Sequence, residues 1–416
     1  MEKMRLQCLG AGREVGRSCF VLETDQRVML DCGLKIYEVG EEKNMFPLQY
    51  RGLLDAIILG HAHFDHSGYL PAIFAHEQPD WFSTPPTSEI TNLLWQDSMK
   101  IMGDRSPYTE FEIKKANRKW VGLEYGKRLR LGKTEFTLHD AGHILGAAMV
   151  EAEYGKRRFV YTGDFKMKES RMHEGAKPVE DVDVLVIEST YSDREHPERK
   201  GLEKKLAKDV AKIVNGGGNA LLPAFAVGRT QELISVIRAH NKSVPIFVDG
   251  MGKEVTRMCL KNPRYIRDAD EFEEHADSAV FVKSREDRRD ATSMPSVIIS
   301  TAGMLQGGPA LGYMLNLLPD SKMYFTGYNV EGTNGRRMMD ENRIILDGNL
   351  LDVDTPWEYY DFSAHAGRAD ILEFIKKAEP GEIVLNHGDR IPAFAEELRG
   401  HGYKVHAPEN GEVIEL

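Results

Sequence analysis

The sequence contains few cysteines and lacks long apolar runs. Its 416 residues include four cysteines, none of which forms a C-x-x-C pair. Neither a cysteine zinc knuckle nor a disulfide framework is expected, and the cysteines are predicted to be buried thiols in a reducing compartment. No segment approaches the roughly 18 consecutive apolar residues of a membrane span, and the start MEKMRLQCLG lacks the apolar core of a secretory signal. We therefore expect a cytoplasmic protein with no membrane partner.

The sequence also lacks an excess of positive charge. Lysine and arginine number 54 against 65 aspartate and glutamate residues, for a formal net charge of -11. This balance excludes a general electrostatic attraction to polyanions, so any nucleic-acid binding must rest on a local positive patch. The chain shows no internal repeat and no low-complexity linker. Its length fits two or three domains, or one large domain with an insertion.

The chain shows two successive patterns of predicted secondary structure. The first third is rich in closely spaced predicted strands, which contain the runs LQCLGAG, SCFVLET, RVMLDCG and DAIILGHAH. From about residue 195, helical patterns alternate with apolar runs such as PIFVDG and SVIIST. Such alternation predicts a mostly parallel sheet covered by helices. The expected fold class is therefore α/β.

The strongest local signal is the hexapeptide HAHFDH, which directly follows the apolar run DAIILG. Alternate side chains of an extended chain point the same way, so His61 and His63 can share a side, and a turn at Asp65 and His66 can return toward them. Imidazole and carboxylate ligands suit zinc, iron or manganese. The alternative is a polar strand end with chance histidines, which is disfavoured because the chain has only 14 histidines.

Further polar residues follow other apolar runs, each beside small residues that let backbone and ligand approach closely. They are Asp31, His143, Asp164, Glu188, His365 and His387. Taken singly, each could be a turn or cap residue. Taken together, they form a pattern that loops at one edge of a sheet would gather at one place.

These motifs resemble those of the metallo-β-lactamase superfamily, on the evidence of LDCG, HAHFDH, AGHILG and TGD in that order. IEST, FSAHAG and LNHG are similar to three further motifs of its nuclease branch, β-CASP, as are the segments PAFAVGRTQEL and TGYNVEGTNGRR. The chain is similar to the short archaeal and bacterial relatives of the cleavage and polyadenylation specificity factor endonuclease. The resemblance implies an αββα sandwich that binds two metals and carries an inserted α/β domain with a mostly parallel sheet.

The resemblance also implies a ligand set. The first metal would be bound by His61, His63 and His143. The second metal would be bound by Asp65, His66 and His387. Asp164 would bridge both ions, and Asp31 would orient a ligand histidine. Two zinc ions are expected, although the same nitrogen and oxygen ligands accept manganese. One departure is Gly60, where relatives often carry Thr or Ser, and it weakens an outer hydrogen bond at most.

The chemistry follows from these residue types. Two cations about 3.5–4 Å apart can hold a bridging hydroxide at neutral pH and neutralise the charge that develops on a phosphodiester under attack. The departing oxygen still needs a proton, which an imidazole held by a carboxylate can supply. His365 paired with Glu188 is the candidate general acid. The alternative for this pair is a structural ion pair.

The expected substrate is RNA. In the family, a histidine at the position of His387 accompanies RNA-processing members, and a single strand is favoured because the insert is expected to narrow access to the metals. An arginine fork at a helix start or in a glycine-rich turn suits phosphate oxygens, although such an arginine can instead bind loop carbonyls. The candidate RNA contacts are Arg229, Tyr328, Thr333, Gly335 and Arg336.

We thus expect a metallo-β-lactamase domain in two chain segments, 1–195 and 355–416, with a β-CASP domain at 196–354. The expected function is a zinc-dependent ribonuclease that acts in RNA processing as an endonuclease, with 5′-to-3′ exonuclease activity left open. A small-molecule thioesterase using the same metals and a non-catalytic RNA-binding scaffold are the rival interpretations. The resemblance also leaves room for a homodimer.

Overall fold

The computed structural model describes residues 3–35 and 45–416. The chain divides into two compact units. The first unit comprises Met1–Glu169, Glu174–Glu195 and His365–Leu416. The second comprises Ser170–His173 and His196–Ala364.

The secondary-structure elements follow the sequence patterns closely. Up to Glu195 they are β1 (Arg5–Gly10), β2 (Cys19–Glu23), β3 (Arg27–Leu30), β4 (Ala56–Ile58), α1 (Phe64–Ser67), α2 (Leu70–Ile73), β5 (Asp80–Ser83), α3 (Pro85–Met102), α4 (Glu110–Arg118), β6 (Trp120–Gly122), β7 (Arg128–Leu131), β8 (Thr134–Asp140), β9 (Ala148–Tyr154), β10 (Arg157–Tyr161) and β11 (Val184–Glu188). From His196 to Ala364 they are α5 (Arg199–Asn215), β12 (Ala220–Pro223), α6 (Arg229–His240), β13 (Ile246–Asp249), α7 (Gly252–Lys261), α8 (Ala269–Asp277), β14 (Val280–Phe281), α9 (Arg285–Ser293), β15 (Val297–Ser300), α10 (Gly308–Met314), β16 (Lys322–Phe325), α11 (Asn334–Glu341), β17 (Arg343–Leu346), β18 (Asn349–Asp352) and β19 (Trp357–Tyr359). The last segment holds α12 (Arg368–Ala378), β20 (Glu382–Asn386), α13 (Ile391–Gly400), β21 (Val405–His406) and β22 (Val413–Glu415).

The first unit is built on two seven-stranded sheets. One has the strand order β22-β1-β2-β3-β4-β5-β6, and the other has the order β21-β20-β11-β10-β9-β8-β7. Strands β3, β4 and β5 run parallel, as do β10, β11, β20 and β21. The carboxyl ends of each parallel set therefore emerge at one edge of their sheet, where polar residues of successive loops can meet.

The two sheets pack face to face over one apolar core. Phe20 and Leu30 from the first sheet and Phe136, Phe159 and Val186 from the second belong to this core. The outer face of the first sheet is covered by α2, α3 and α4, whose Leu70, Trp95 and Ile113 pack with its strands. On the second sheet, α13 contacts β20 and β21. The predicted αββα sandwich is confirmed.

The second unit has a six-stranded sheet of order β14-β13-β15-β12-β16-β19 in which neighbouring strands are all parallel. One face packs on α5 and α6, through residues such as Leu206 and Ile237. The other face packs on α10 and α11, through Met314 and Met338. Since helices cover both faces, strands such as VIIS at Val297–Ser300 are fully buried. The expected α/β insert with a mostly parallel sheet is confirmed.

The boundary expected at 354/355 differs from the structure. Strand β19 lies after that boundary, yet it pairs with β16 in the parallel sheet of the second unit. The second unit therefore continues to Ala364, and the first unit resumes at His365. A three-residue strand has too few positions to show a period, so the sequence pattern does not assign β19 to the inserted domain.

The four cysteines are buried thiols, as their number and spacing predict. Cys8, Cys19, Cys32 and Cys259 are all free and buried. Burial raises the pKa of Cys8 and of Cys259 to about 12, so both are protonated and unreactive thiols. Among the described residues, no helix is both long enough and apolar enough to cross a membrane.

Candidate metal centre

The candidate ligands of the first unit lie where strands end. Asp31 follows β3, His61 and His63 follow β4, and Asp164 follows β10. Asp65 and His66 lie in the short helix α1, His143 lies between β8 and β9, and His387 follows β20. Short apolar strands fix these positions, while the loops after them are free to turn polar side chains inward.

One group of donors brings together His61, His63, His143 and Asp164. Each offers one ligand atom, and these atoms lie within 4.8 Å of one another. The Nε2 atom of His143 lies 3.0 Å from Nδ1 of His63. Three imidazoles and a carboxylate that converge on one point form a donor set suited to zinc.

A second group brings together Asp65, His66 and His387, again with ligand atoms within 4.8 Å of one another. Nε2 of His387 lies 3.3 Å from Oδ2 of Asp65. His387 has a backbone φ of 50°, a left-handed conformation that a non-glycine residue adopts at some cost. Its N–H donates to the carbonyl of Ala11 at 2.9 Å, which helps to hold this conformation.

Asp164 faces both groups of donors. Its Oδ2 lies 3.5 Å from Nε2 of His61, 3.3 Å from Nε2 of His66 and 3.7 Å from Nε2 of His143. Its Oδ1 lies 3.3 Å from Nδ1 of His387. A buried carboxylate in this place can be shared by two cations.

Several donors are in the protonation state that a metal requires. His66 is the exception: burial lowers its pKa, but nearby aspartates outweigh burial and raise the pKa well above its usual range, so a metal would displace its proton. Burial lowers the pKa of His61 well below its usual range and that of His63 to about 4, so both rings are neutral. Burial alone would raise the pKa of Asp164, but the imidazoles of His387 and His66 outweigh it and hold the pKa well below its usual range. Neutral imidazoles and ionised carboxylates are the forms that coordinate metals.

The residues present fit divalent cations. Nε2 of His61 and Oδ1 of Asp164 are fully buried and make no hydrogen bond within the described part of the chain. Leaving such atoms unsatisfied costs about 1–3 kcal/mol each, and a cation between the two donor groups would satisfy both. The His/Asp cluster is therefore suited to divalent metal binding.

Asp31 lies behind His66 and is fully buried. Its Oδ2 lies 2.7 Å from Nδ1 of His66, and its Oδ1 accepts the backbone N–H of Gly60 at 2.7 Å. A carboxylate at Nδ1 fixes the ring so that Nε2 faces the site. A Cβ atom at Gly60 would lie 3.1 Å from the carbonyl oxygen of Ala148, so glycine relieves a close approach here while its backbone keeps the bond to Asp31.

His365 and Glu188 form a pair beside the two donor groups. Nδ1 of His365 lies 3.0 Å from Oε2 of Glu188, and the His365 side chain is 21% exposed whereas Glu188 is completely buried. Burial lowers the pKa of His365, but the negative charges of Glu188 and Asp164 outweigh it and raise the pKa to about 9. A protonated, partly exposed imidazole held by a buried carboxylate has the state and the access that a proton donor needs.

Two residues of the site escaped the sequence analysis. The hydroxyl of Tyr161 donates to Oδ2 of Asp31 at 2.7 Å, and the hydroxyl of Thr190 donates to Oε2 of Glu188 at 2.5 Å. Thr190 Oγ1 also lies 3.1 Å from Nδ1 of His387, so it connects the His365–Glu188 pair to a candidate ligand. Thr190 stands in the motif IEST, which was the available signal, whereas Tyr161 is indistinguishable from any aromatic residue at a strand end.

The residues predicted to contact RNA lie in the second unit and do not share one environment. Arg229 begins α6, Thr333 caps α11, and Gly335 and Arg336 lie within α11 rather than in a turn. Arg336 is paired with Asp340 at 2.8 Å, and Tyr328 is 52% exposed. A Cβ atom at Gly335 would lie 2.0 Å from Oδ1 of Asn329, so this glycine permits close packing.

Comparison with known families identifies three matching segments. Residues 26–211 match a model described as a beta-lactamase superfamily domain. Residues 230–338 match a Beta-Casp domain, and residues 352–408 match a Zn-dependent metallo-hydrolase RNA specificity domain. The segments occur in the order that the motifs indicate.

Individual proteins are similar over almost the full chain. "Probable RNase MJ4" of Methanocaldococcus jannaschii is 33% identical over 98% of this chain and 99% of its own length. "RNase aCSPSF2" of Saccharolobus solfataricus is 34% identical over 99% of this chain and 85% of its own length. "Transcription termination factor FttA" of Methanothermobacter thermautotrophicus is 35% identical over 92% of this chain and 67% of its own length.

A solved structure shares the fold. It is the crystal structure of a protein of unknown function from Enterococcus faecalis V583, with a TM-score of 0.66, 15% sequence identity and full coverage of both chains.

Proposed function

Because this chain belongs to the β-CASP branch of the metallo-β-lactamase superfamily, we propose that it is a metal-dependent ribonuclease that hydrolyses RNA phosphodiester bonds. The observation that supports this most directly is the position of Asp164. This buried carboxylate faces histidine side chains of both donor groups. Relatives carry the name RNase, which favours RNA as the substrate.

Two zinc ions would be held by the two donor groups, and manganese would be accepted by the same atoms. The first ion would be bound by His61, His63 and His143, and the second by Asp65, His66 and His387, with Asp164 shared. When bound, such ions activate water as a nucleophile and neutralise charge on the phosphodiester.

The protein's own residues supply orientation and a proton. Asp31 holds His66 through Nδ1 so that Nε2 faces the ligand position. His365, held by Glu188, donates a proton to the departing sugar oxygen through the nitrogen that does not face Glu188. Thr190 fixes Glu188 for this purpose, since its hydroxyl is close to both Glu188 and His387.

The test is cleavage of a single-stranded RNA labelled at either end. Metal-loaded wild-type protein should produce fragments, and His63→Ala should reduce the rate by more than about 100-fold, since loss of a ligand exceeds the 10–100-fold effect of an outer partner. His401→Ala is the matched control, because His401 directly follows α13 and is exposed outside the site. The positions of the fragments distinguish endonucleolytic from 5′-to-3′ exonucleolytic cleavage.

Equal product from wild type and His63→Ala would refute the proposal. Turnover of a thioester without RNA cleavage would favour the small-molecule hydrolase instead. RNA binding without cleavage by either protein would favour the scaffold, although every ligand position of the motifs is filled. A parallel assay on duplex RNA tests the preference for a single strand. The homodimer and the cytoplasmic location stay predictions.

A further inference from the structure

Arg229 in the second unit carries a positive charge but forms no ion pair with a described residue. Its Nε atom is fully buried and makes no hydrogen bond to any described residue. The side chain as a whole is partly exposed, so a ligand can reach the guanidinium from solvent. A buried donor on a permanent cation is costly unless an anion completes it.

A second arginine, Arg199, lies near Arg229. The guanidinium carbon of Arg199 lies 4.4 Å from the ring centre of Phe362, and that of Arg229 lies 6.0 Å from the same ring. Burial first, and then the charge of Arg199, lower the pKa of Arg229 to about 10, although nearby acids oppose the shift. Two arginines thus share one aromatic face.

The acids near Arg229 are already engaged. Glu232 is paired with Arg199, and Glu203 is paired with Arg199 at 3.1 Å and with Arg171 at 2.9 Å. Asp361 lies 3.0 Å from Nδ1 of His196. Glu232 and Asp361 act on Arg229 through their charges, but neither forms a direct ion pair with it.

Other arginines of the same unit are different. Arg336 is paired with Asp340 at 2.8 Å, Arg337 with Glu341 at 3.5 Å, and Arg343 with Asp352 at 2.7 Å. Each of these would have to give up an acid before it could bind an anion. Arg229 would not, because it forms no ion pair with a described residue.

We propose that Arg229 binds a phosphate group of the RNA, with Arg199 and the ring of Phe362 forming the rest of the subsite. The inference rests on the proposed ribonuclease function. A guanidinium presents paired N–H donors that match two phosphate oxygens. The phosphate can belong to an internal phosphodiester or to the 5′ end, and both present the same oxygens.

The experiment compares kcat and KM of the metal-loaded full-length protein across a range of salt concentrations. Arg229→Ala should raise KM for single-stranded RNA roughly 10-fold or more, because a hydrogen bond to a charged group contributes about 1.5–3 kcal/mol. The slope of log KM against log salt should fall by about 0.7, the value for one phosphate contact on a single strand. Arg229→Lys keeps the charge without the fork and should retain the slope with an intermediate KM.

Arg343→Ala is the control, because it removes an exposed, ion-paired arginine of the same unit. It should leave both KM and the slope within about 2-fold of wild type. Thermal melting of each variant shows whether it is folded. If Arg229→Ala is not folded, the KM of Arg229→Lys is compared with that of wild type instead. The proposal would be overturned if the slope of log KM against log salt were the same in wild type, Arg229→Ala and Arg343→Ala. It would also be overturned if Arg229→Ala and Arg343→Ala raised KM to the same degree.

RNAs of one sequence with a 5′-phosphate or a 5′-hydroxyl distinguish the two sources of phosphate. An effect of Arg229→Ala on both RNAs places an internal phosphodiester at Arg229, and an effect on the 5′-phosphate RNA alone places the chain end there. Failure of the wild-type protein to cleave any RNA would refute the proposed function. Cleavage by wild type with an unchanged KM in Arg229→Ala would refute the phosphate subsite alone.

Discussion

Asp164 in the first unit and Asp249 in the second are both buried aspartates at the carboxyl side of buried strands. Asp249 is surrounded by donors: Oδ1 accepts from Gly250 N at 2.7 Å and from Lys253 Nζ at 3.0 Å. Its Oδ2 accepts from Arg288 Nε at 2.7 Å and from Tyr313 Oη at 3.1 Å. Permanent cations therefore neutralise Asp249 within the protein.

Within residues 3–35 and 45–416, Asp164 has no lysine or arginine partner. Only imidazoles face its two oxygens, and Oδ1 makes no hydrogen bond within the described residues. Imidazoles can be neutral, and then they compete for a cation rather than supplying one. The type of neighbour, rather than burial or position at a strand end, separates the candidate ligand carboxylate Asp164 from the structural carboxylate Asp249.

The largest expected effect comes from exchanging the two aspartates for asparagine. Asp164→Asn should remove metal and reduce RNA cleavage by more than about 100-fold, because it takes the shared oxygen from both donor groups. Asp249→Asn should lower the free energy of unfolding by about 1–3 kcal/mol, since Arg288 and Lys253 lose a charged acceptor. Metal analysis by mass spectrometry and denaturant unfolding measure the two outcomes. Equal metal loss in both variants would remove the distinction.

Within the first unit, substitutions of His387 and His365 should also separate a metal ligand from a residue with another role. His387→Ala should reduce metal content to about one ion per chain, because it takes a donor from the second group. His365→Ala should keep both ions and lower the cleavage rate about 10²–10⁴-fold, the usual contribution of a general acid. Metal content and single-turnover rates check both results. If the two variants lost metal to the same degree, His365 would be a ligand rather than an acid.

The smallest expected effect concerns two buried tyrosine hydroxyls. Tyr161→Phe removes a donor to Asp31 and should weaken zinc affinity by about 10-fold, the lower end of the range for an outer partner. Tyr324→Phe is the matched control, because its buried hydroxyl makes no hydrogen bond within the described residues. Competition titrations with a zinc indicator measure both affinities. Equal affinities of the two variants would mean that Asp31 needs no support from Tyr161.

Local motifs made much of the fold and the donor groups predictable. HAHFDH places four donors within one turn of chain after a strand, so a short stretch of sequence carries most of the geometry. Strands β3, β4, β10, β11 and β20 are apolar runs that end in or precede polar residues, and parallel pairing within each sheet brings its strand ends to one edge of that sheet. Each of these features is visible within about ten residues.

The remaining features depend on contacts between distant residues. The bond from Tyr161 to Asp31 joins residues far apart in sequence, and nothing near Tyr161 indicates it. The segment GYNVEGTNGRR was interpreted as a turn because it is rich in glycine, yet Thr333 caps a helix that includes Gly335. Tertiary packing against Asn329 requires a glycine at that position and outweighs its poor helix propensity.

The position of β20 has a consequence for how the protein is made. His387 directly follows β20, which pairs with β11, and nearly all of the second unit, His196–Ala364, is encoded between these two strands. A ribosome adding about 5–20 residues per second needs on the order of 10–30 s to make that unit, and β11 waits for its neighbour throughout. The second donor group is incomplete until His387 has been synthesised. A nascent chain is therefore expected to lack one donor of the candidate metal centre until translation is nearly finished.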